Sequence, residues 1–240
     1  MPRGGLLGRF HELSVATTDI AASVEFYERL GFTQAPTGDT WPHPYGVVSD
    51  GRIALGLHQA PERSALTFVH PEVAAHCALL EQHGLALAWR RTDRECFNEV
   101  GFTAPGGQLV MLIEARTYSP PQRGSDEHSL CGEFSELSLP VPDLDEAARY
   151  WESLGLVALE VSERPWPHRP LAADHLSLSL HPAALFARPL LVFAEAGMQR
   201  RLQRLSELGV MLRPLRALNA AANALLQAPE GTLLALTDAE

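Results

Sequence analysis

The feature that most constrains this chain is that it repeats itself. "FHELSVATTD" (10–19) is answered by "FSELSLPVPD" (134–143), and "SVEFYERLGF" (23–32) by "AARYWESLGL" (147–156). "WPHP" (41–44) returns as "WPHR" (166–169), and "LGLH" (55–58) as "LSLH" (178–181). Gly31 and Gly155 stand 124 residues apart, as do Asp19 and Asp143. A repeat at that spacing means two similar domains rather than one large one. Each half repeats again, more faintly. Helical patterns ending in glycine recur at "EVAAHCALLEQHG" (72–84) and "GMQRRLQRLSELG" (197–209). Glycine just past an apolar-periodic helix is the usual left-handed cap.

Around each helix the apolar residues alternate with period two, which is the signature of strands with two different faces. Leu13, Val15 and Thr17 lie on one face of the first strand, and Glu12, Ser14 and Ala16 on the other. Asp19 and Asp143 then stand where a helix N-cap belongs. Each unit therefore reads β-α-β-β-β. The fold class is α+β: two tandem domains, each of two βαβββ units. The first domain spans 1–118 and the second 133–240. A Pro-rich polar linker (119–132) divides them.

Composition removes several functions. Hydrophobic content of 46% and charged content of 20% are ordinary for a globular chain with a real core. A formal charge of −10 disfavours nucleic acid, whose phosphates are bound by Lys and Arg. Neither a signal peptide nor a membrane span is legible. Cys77, Cys96 and Cys131 are too few and too scattered for a disulfide framework or a zinc motif, so a cytoplasmic location is expected.

The paired βαβββ units, with Asp19, "FY" (26–27) and "LGF" (30–32) around the first helix and "PGGQLV" (105–110) opening a last strand, resemble the vicinal oxygen chelate superfamily. That group includes glyoxalase I, bleomycin-resistance proteins and extradiol dioxygenases. The resemblance implies that each domain curls its mixed sheets into a cup with the helices outside. Strand parity then lines the first cup with Glu12, Ser14, Ala54, Gly56, His58, Ala65, Thr67, Leu109, Met111 and Ile113, making it apolar. The second, with Glu136, Ser138, Ser177 and Ser179, is expected to be more polar.

Metal-dependent members place donors at four inward positions. Here the resemblance maps these to Glu12, Ala54, Ala65 and Met111, and to Glu136, Ser177, Leu190 and Ala235. One carboxylate in four cannot grip a divalent cation, so neither a metal nor another cofactor is expected. Glu136, His175 and His168 form the alternative ligand set, for Zn, Ni, Mn or Fe. His58 and His181 are expected to lie out of their glutamate's reach, six residues along a parallel strand at about 3.3 Å each. "FNEVGF" (97–102) offers Asn98 or Glu99 to the first cup.

The two inward glutamates are costly unless paired, so they are expected to serve as struts with Ser14 or Ser138, as ligand contacts, or as bases. The leading expectation is a metal-independent protein binding a small organic molecule in the cup, similar to the bleomycin-resistance branch. The alternatives are a metal-dependent glyoxalase-like lyase or extradiol-type dioxygenase, and a structural protein with collapsed cups. The two domains are expected to pair within the chain, with a homodimer as a further option.

Overall fold

The computed structural model describes residues 5–37, 41–60, 64–93, 97–115, 129–173, 176–215 and 224–239. Its first unit runs β1 (Arg9–Ala16), α1 (Ile20–Arg29), β2 (Thr33–Ala35), β3 (Tyr45–Ser49) and β4 (Ala54–His58). The second runs β5 (Ala65–His70), α2 (Val73–Gln82), β6 (Leu87–Arg91), β7 (Glu99–Thr103) and β8 (Leu109–Glu114). The third repeats the pattern as β9 (Glu133–Val141), α3 (Leu144–Ser153), β10 (Val157–Ala158), β11 (Arg169–Ala173) and β12 (Leu176–Pro182). The fourth is β13 (Leu190–Glu195), α4 (Met198–Glu207), β14 (Arg213–Pro214), β15 (Ala224–Gln227) and β16 (Leu233–Asp238).

The strands form two eight-stranded sheets, ordered β2-β3-β4-β1-β5-β8-β7-β6 and β10-β11-β12-β9-β13-β16-β15-β14. Within each unit the first strand pairs its last in parallel, and the two units of a sheet meet through their antiparallel first strands. The local chemistry explains the elements. Asp19 and Asp143 cap α1 and α3 by accepting from the backbone N–H of Ala22 and Glu146. Gly31, Gly84, Gly155 and Gly209 end the four helices at positive φ, where a side chain would be strained.

The main core lies between the helices and the outward strand faces and includes residues of both halves. Phe32 of the first half meets Phe193 of the second, ring centroids 6.2 Å apart. Residues 129–132 of the linker pack inward: Cys131 is fully buried, and Leu130 N–H donates to the Leu30 carbonyl.

The halves are also joined by their turns. Glu230, between β15 and β16, accepts from Tyr27 Oη at 2.7 Å and from Ser23 Oγ at 2.9 Å, both on α1. Tyr27 and Ser23 are wholly buried, so removing the carboxylate takes an acceptor from each, although Ser23 Oγ keeps Thr17 Oγ1 at 3.0 Å. Glu230→Ala should cost about 1–3 kcal/mol by chemical denaturation.

Candidate functional site

The parity read from the alternation sets the inward faces, and the cross-strand register sets which residues share a level. β1 carries a bulge between Phe10 and Glu12, and beyond it Thr67 lies across from Glu12 and Ala65 across from Ser14. β9 bulges in the same place, with Val192 across from Glu136 and Leu190 across from Ser138. Met111 follows Thr67, and Ala235 follows Val192, along the parallel pairs. Level with Glu12 therefore stand Ala54, Thr67 and Met111. Level with Glu136 stand Ser177, Val192 and Ala235.

The first cup holds a buried polar chain. Glu12 Oε1 accepts from Ser14 Oγ at 2.8 Å and lies 2.9 Å from His58 Nε2. Ser14 Oγ is 2.6 Å from Thr67 Oγ1, and since its own proton goes to Glu12, Thr67 donates to it. His58 Nδ1 is 2.9 Å from His43 Nε2. Glu12, Ser14, His58 and Thr67 are all buried, whereas His43 is half-buried. This corrects the expectation that His58 lies beyond reach. His58 is level with Ala16, four residues above Glu12, and Glu12 extends along the sheet to meet it. Gly56 makes this possible: a Cβ there would stand 2.0 Å from Glu12 Oε1.

Electrostatics agree with the geometry. Burial alone would raise the Glu12 carboxyl. The hydrogen bond from His58, the charges of His11 and His58, and the Ser14 bond outweigh it, and the group is held below the usual carboxylate range. The other oxygen, Oε2, has no hydrogen-bond partner among the described residues, with His11 Nε2 at 3.7 Å.

Around the outer end of this chain the rings gather. Trp41 stacks on His43 (centroids 5.9 Å, 25°) and meets His58 edge-on at 5.4 Å. Tyr45 stacks on His58 at 5.5 Å, and the exposed Phe97 lies 5.9 Å from Trp41. Ala65, Val69, Met111 and Ile113 form the apolar floor, with Trp41 and Trp89 packed against it. Asn98 does not belong to this cup. Its Nδ2 donates to Glu114 Oε2 at 3.1 Å, while Glu99, paired with Ile113, takes the inward face and meets Arg91 at 3.0 Å.

The second cup has diverged at one residue. Ser179 stands where the first half has Gly56, and its hydroxyl donates to Glu136 at 2.8 Å. Ser179 Oγ also lies 2.7 Å from Ser138 Oγ, which is 2.8 Å from His181 Nδ1. The chain ends where His181 Nε2 meets the Phe186 carbonyl at 3.0 Å. Glu136 has His168 Nε2 at 3.7 Å, but burial prevails over that imidazole and Ser179, and its pKa is raised. The expected polar cup is instead filled by Trp166, Leu190, Val192, Leu215 and Ala235, all buried, while Ser177 is exposed. His175 lies outside the described residues, and so does Cys96.

His181 gives this cup a pH signature. Burial, only partly offset by the Phe186 carbonyl, lowers its pKa to about 4. The unfolded chain therefore binds more protons as pH falls from about 6.5 to about 4, and stability drops by up to about 3 kcal/mol across that window. Denaturation at pH 7 and pH 4.5 should show this loss, and His181→Gln should shrink it.

Does the donor set fit the divalent metal that the resemblance implies? At each level one carboxylate faces a methyl, a hydroxyl or a hydrocarbon, and these do not hold such an ion. Among the described residues no group of three or more His, Cys, Asp and Glu is arranged to hold a metal. The described side chains do not fit the ion.

No family model and no curated protein matches the chain. Solved structures do. Homoprotocatechuate 2,3-dioxygenase from Arthrobacter globiformis aligns over 100% of this chain and 82% of its own, with a TM-score of 0.64 and 16% identity. The E323L mutant of the Brevibacterium fuscum enzyme aligns over 97% and 71%, with a TM-score of 0.63 and 16% identity. A catechol 2,3-dioxygenase aligns over 95% and 86%, with a TM-score of 0.56 and 16% identity. The fold is that of these dioxygenases, as two tandem domains of paired βαβββ units. At this identity the likeness establishes architecture, and the chemistry has to come from the site.

Proposed function

We propose that this chain binds a small aromatic molecule at the mouth of its first cup, without a metal. The observation that carries this is the ring cluster of Trp41, His43, Tyr45 and Phe97 at the outer end of a sealed Glu12–His58 pair. Partly exposed rings around one polar group suit a flat organic ligand, which stacks on them while hydrogen-bonding at an edge. The second cup serves as scaffold, its interior taken up by Trp166 and its apolar neighbours. We place the protein in the cytoplasm, consistent with the buried free thiols of Cys77 and Cys131. Among the described residues no helix is long and apolar enough to cross a membrane.

A second reading, extradiol dioxygenase chemistry, is favoured by the solved structures, which are enzymes named for catechol-type substrates. It fits the architecture better than a bleomycin-resistance role does. The donor positions weigh against it. Both readings suggest the same first ligand. Catechol added to the purified chain should quench Trp41 fluorescence saturably. Binding without ring-opened product, in the presence of added Fe(II), supports the first reading. Ring cleavage supports the second, and absence of saturable quenching contradicts the first.

A further inference from the structure

The two halves meet unequally at their last turns. In the first half the turn "APGGQL" (104–109) packs without space: a Cβ on Gly106 would stand 2.1 Å from the Pro140 carbonyl oxygen. In the second half "APEGTL" (228–233) puts Glu230 at the same place, and a cavity of about 300 Å³ lies beside it. That is the lower end of the range for small-molecule sites. Both halves line this cavity, and none of the rings at the mouth of the first cup does.

Its walls are largely hydrocarbon, and its lining includes one charge of each sign. Leu13, Leu137 and Leu191 are buried and Val15 partly so, and together they form the apolar wall. Arg188 is exposed. Among the described residues it makes no ion pair and one long hydrogen bond, from Nη1 to the Gly231 carbonyl at 3.5 Å. Its guanidinium therefore keeps donors for a planar acceptor such as a carboxylate. Glu230 is fixed by Tyr27 Oη at 2.7 Å and Ser23 Oγ at 2.9 Å, which use two of its roughly four acceptor sites. A carboxylate already held in position loses little freedom on meeting a ligand. A lone anion here would be repelled by Glu230, and a lone cation by Arg188. A molecule that carries both charges beside a hydrocarbon group satisfies both.

We propose that this cavity between the halves binds a zwitterionic α-amino acid with an aliphatic side chain. The carboxylate pairs with Arg188, the ammonium donates to Glu230, and the side chain lies against Leu13, Val15, Leu137 and Leu191. Such a ligand touches both halves and braces their junction. Its binding does not depend on what the first cup takes.

The probe is L-leucine, titrated into the full chain by calorimetry. Saturable binding is expected. It should weaken about tenfold or more for 4-methylpentanoate, which lacks the ammonium, and for 3-methylbutylamine, which lacks the carboxylate. Arg188→Gln should weaken leucine to a similar degree, and Arg188→Lys, which keeps the charge but not the planar fork, should recover part of the affinity. Methyl NMR of the unaltered chain locates the ligand without any substitution. Leucine should shift the methyl resonances of Val15 and Leu137 and leave those of Ile113, on the floor of the first cup, in place. No saturable binding up to about 10 mM overturns the proposal. So does either analogue binding as tightly as leucine, full affinity in Arg188→Gln, or shifts at Ile113 instead of Val15 and Leu137.

Discussion

Gly56→Ala should destabilise the protein by about 3–5 kcal/mol, the cost of leaving a buried carboxylate without its partners. The added methyl would stand 2.0 Å from Glu12 Oε1, 2.4 Å from Cδ and 2.6 Å from Oε2. Backbone strain is not the cause. The carboxylate must move, and every direction loses its bonds to His58 and Ser14 while leaving the charge buried. The double variant Glu12→Ala, Gly56→Ala removes both the clash and the charge, so it should be more stable than Gly56→Ala alone. That sign is the diagnostic, since two independent losses would add. Thermal and urea unfolding of the four members of the cycle give the answer. A Gly56→Ala protein within about 0.5 kcal/mol of the parent would mean that Glu12 does not rely on this groove.

Gly106→Ala should be comparably damaging for a different reason. Gly106 sits in the turn between β7 and β8 with φ at 83°, a conformation a β-carbon resists. A Cβ there would fall 2.1 Å from the Pro140 carbonyl oxygen of β9. Neither atom belongs to a flexible side chain, so the turn of one half and the first strand of the other must separate. A loss of about 3 kcal/mol or more is expected, at the upper end for a single substitution. Gly107→Ala is the internal comparison. It shares the positive φ but meets no atom within 4 Å, so it should cost only the backbone term, about 1 kcal/mol. Equal losses at the two positions would show that the inter-half contact contributes little.

The architecture was legible in the sequence because a repeated chain states its pattern more than once. Asp19 and Asp143 as caps, the four helix-ending glycines and the inward parity of Glu12, Ala54, Gly56, Thr67 and Met111 all depend on local chemistry that each unit repeats. The site was less legible, since it depends on how far side chains reach across a register. Counting residues along a strand placed His58 too far from Glu12, because backbone rise says nothing of a glutamate lying along the sheet. The clue was present as the contrast between "LGLH" and "LSLH": the glycine opens a groove that the serine closes. The filling of the second cup by Trp166 and Leu215 depends on loops folding back, which period-two patterns do not encode. Asn98 and Glu99 were separable only by the β7–β8 register.

Metal content tests the central physical claim most directly, because the positions level with each glutamate offer hydrocarbon and hydroxyl groups where a cation needs further charged or imidazole donors. The purified chain would be incubated with excess Fe(II), Mn(II), Zn(II) or Ni(II), desalted, and its metal counted per chain by mass spectrometry. The structure predicts far less than one ion per chain for each metal, unchanged by Glu12→Gln or Glu136→Gln. One tightly held ion per chain, lost when either glutamate is replaced, would contradict it.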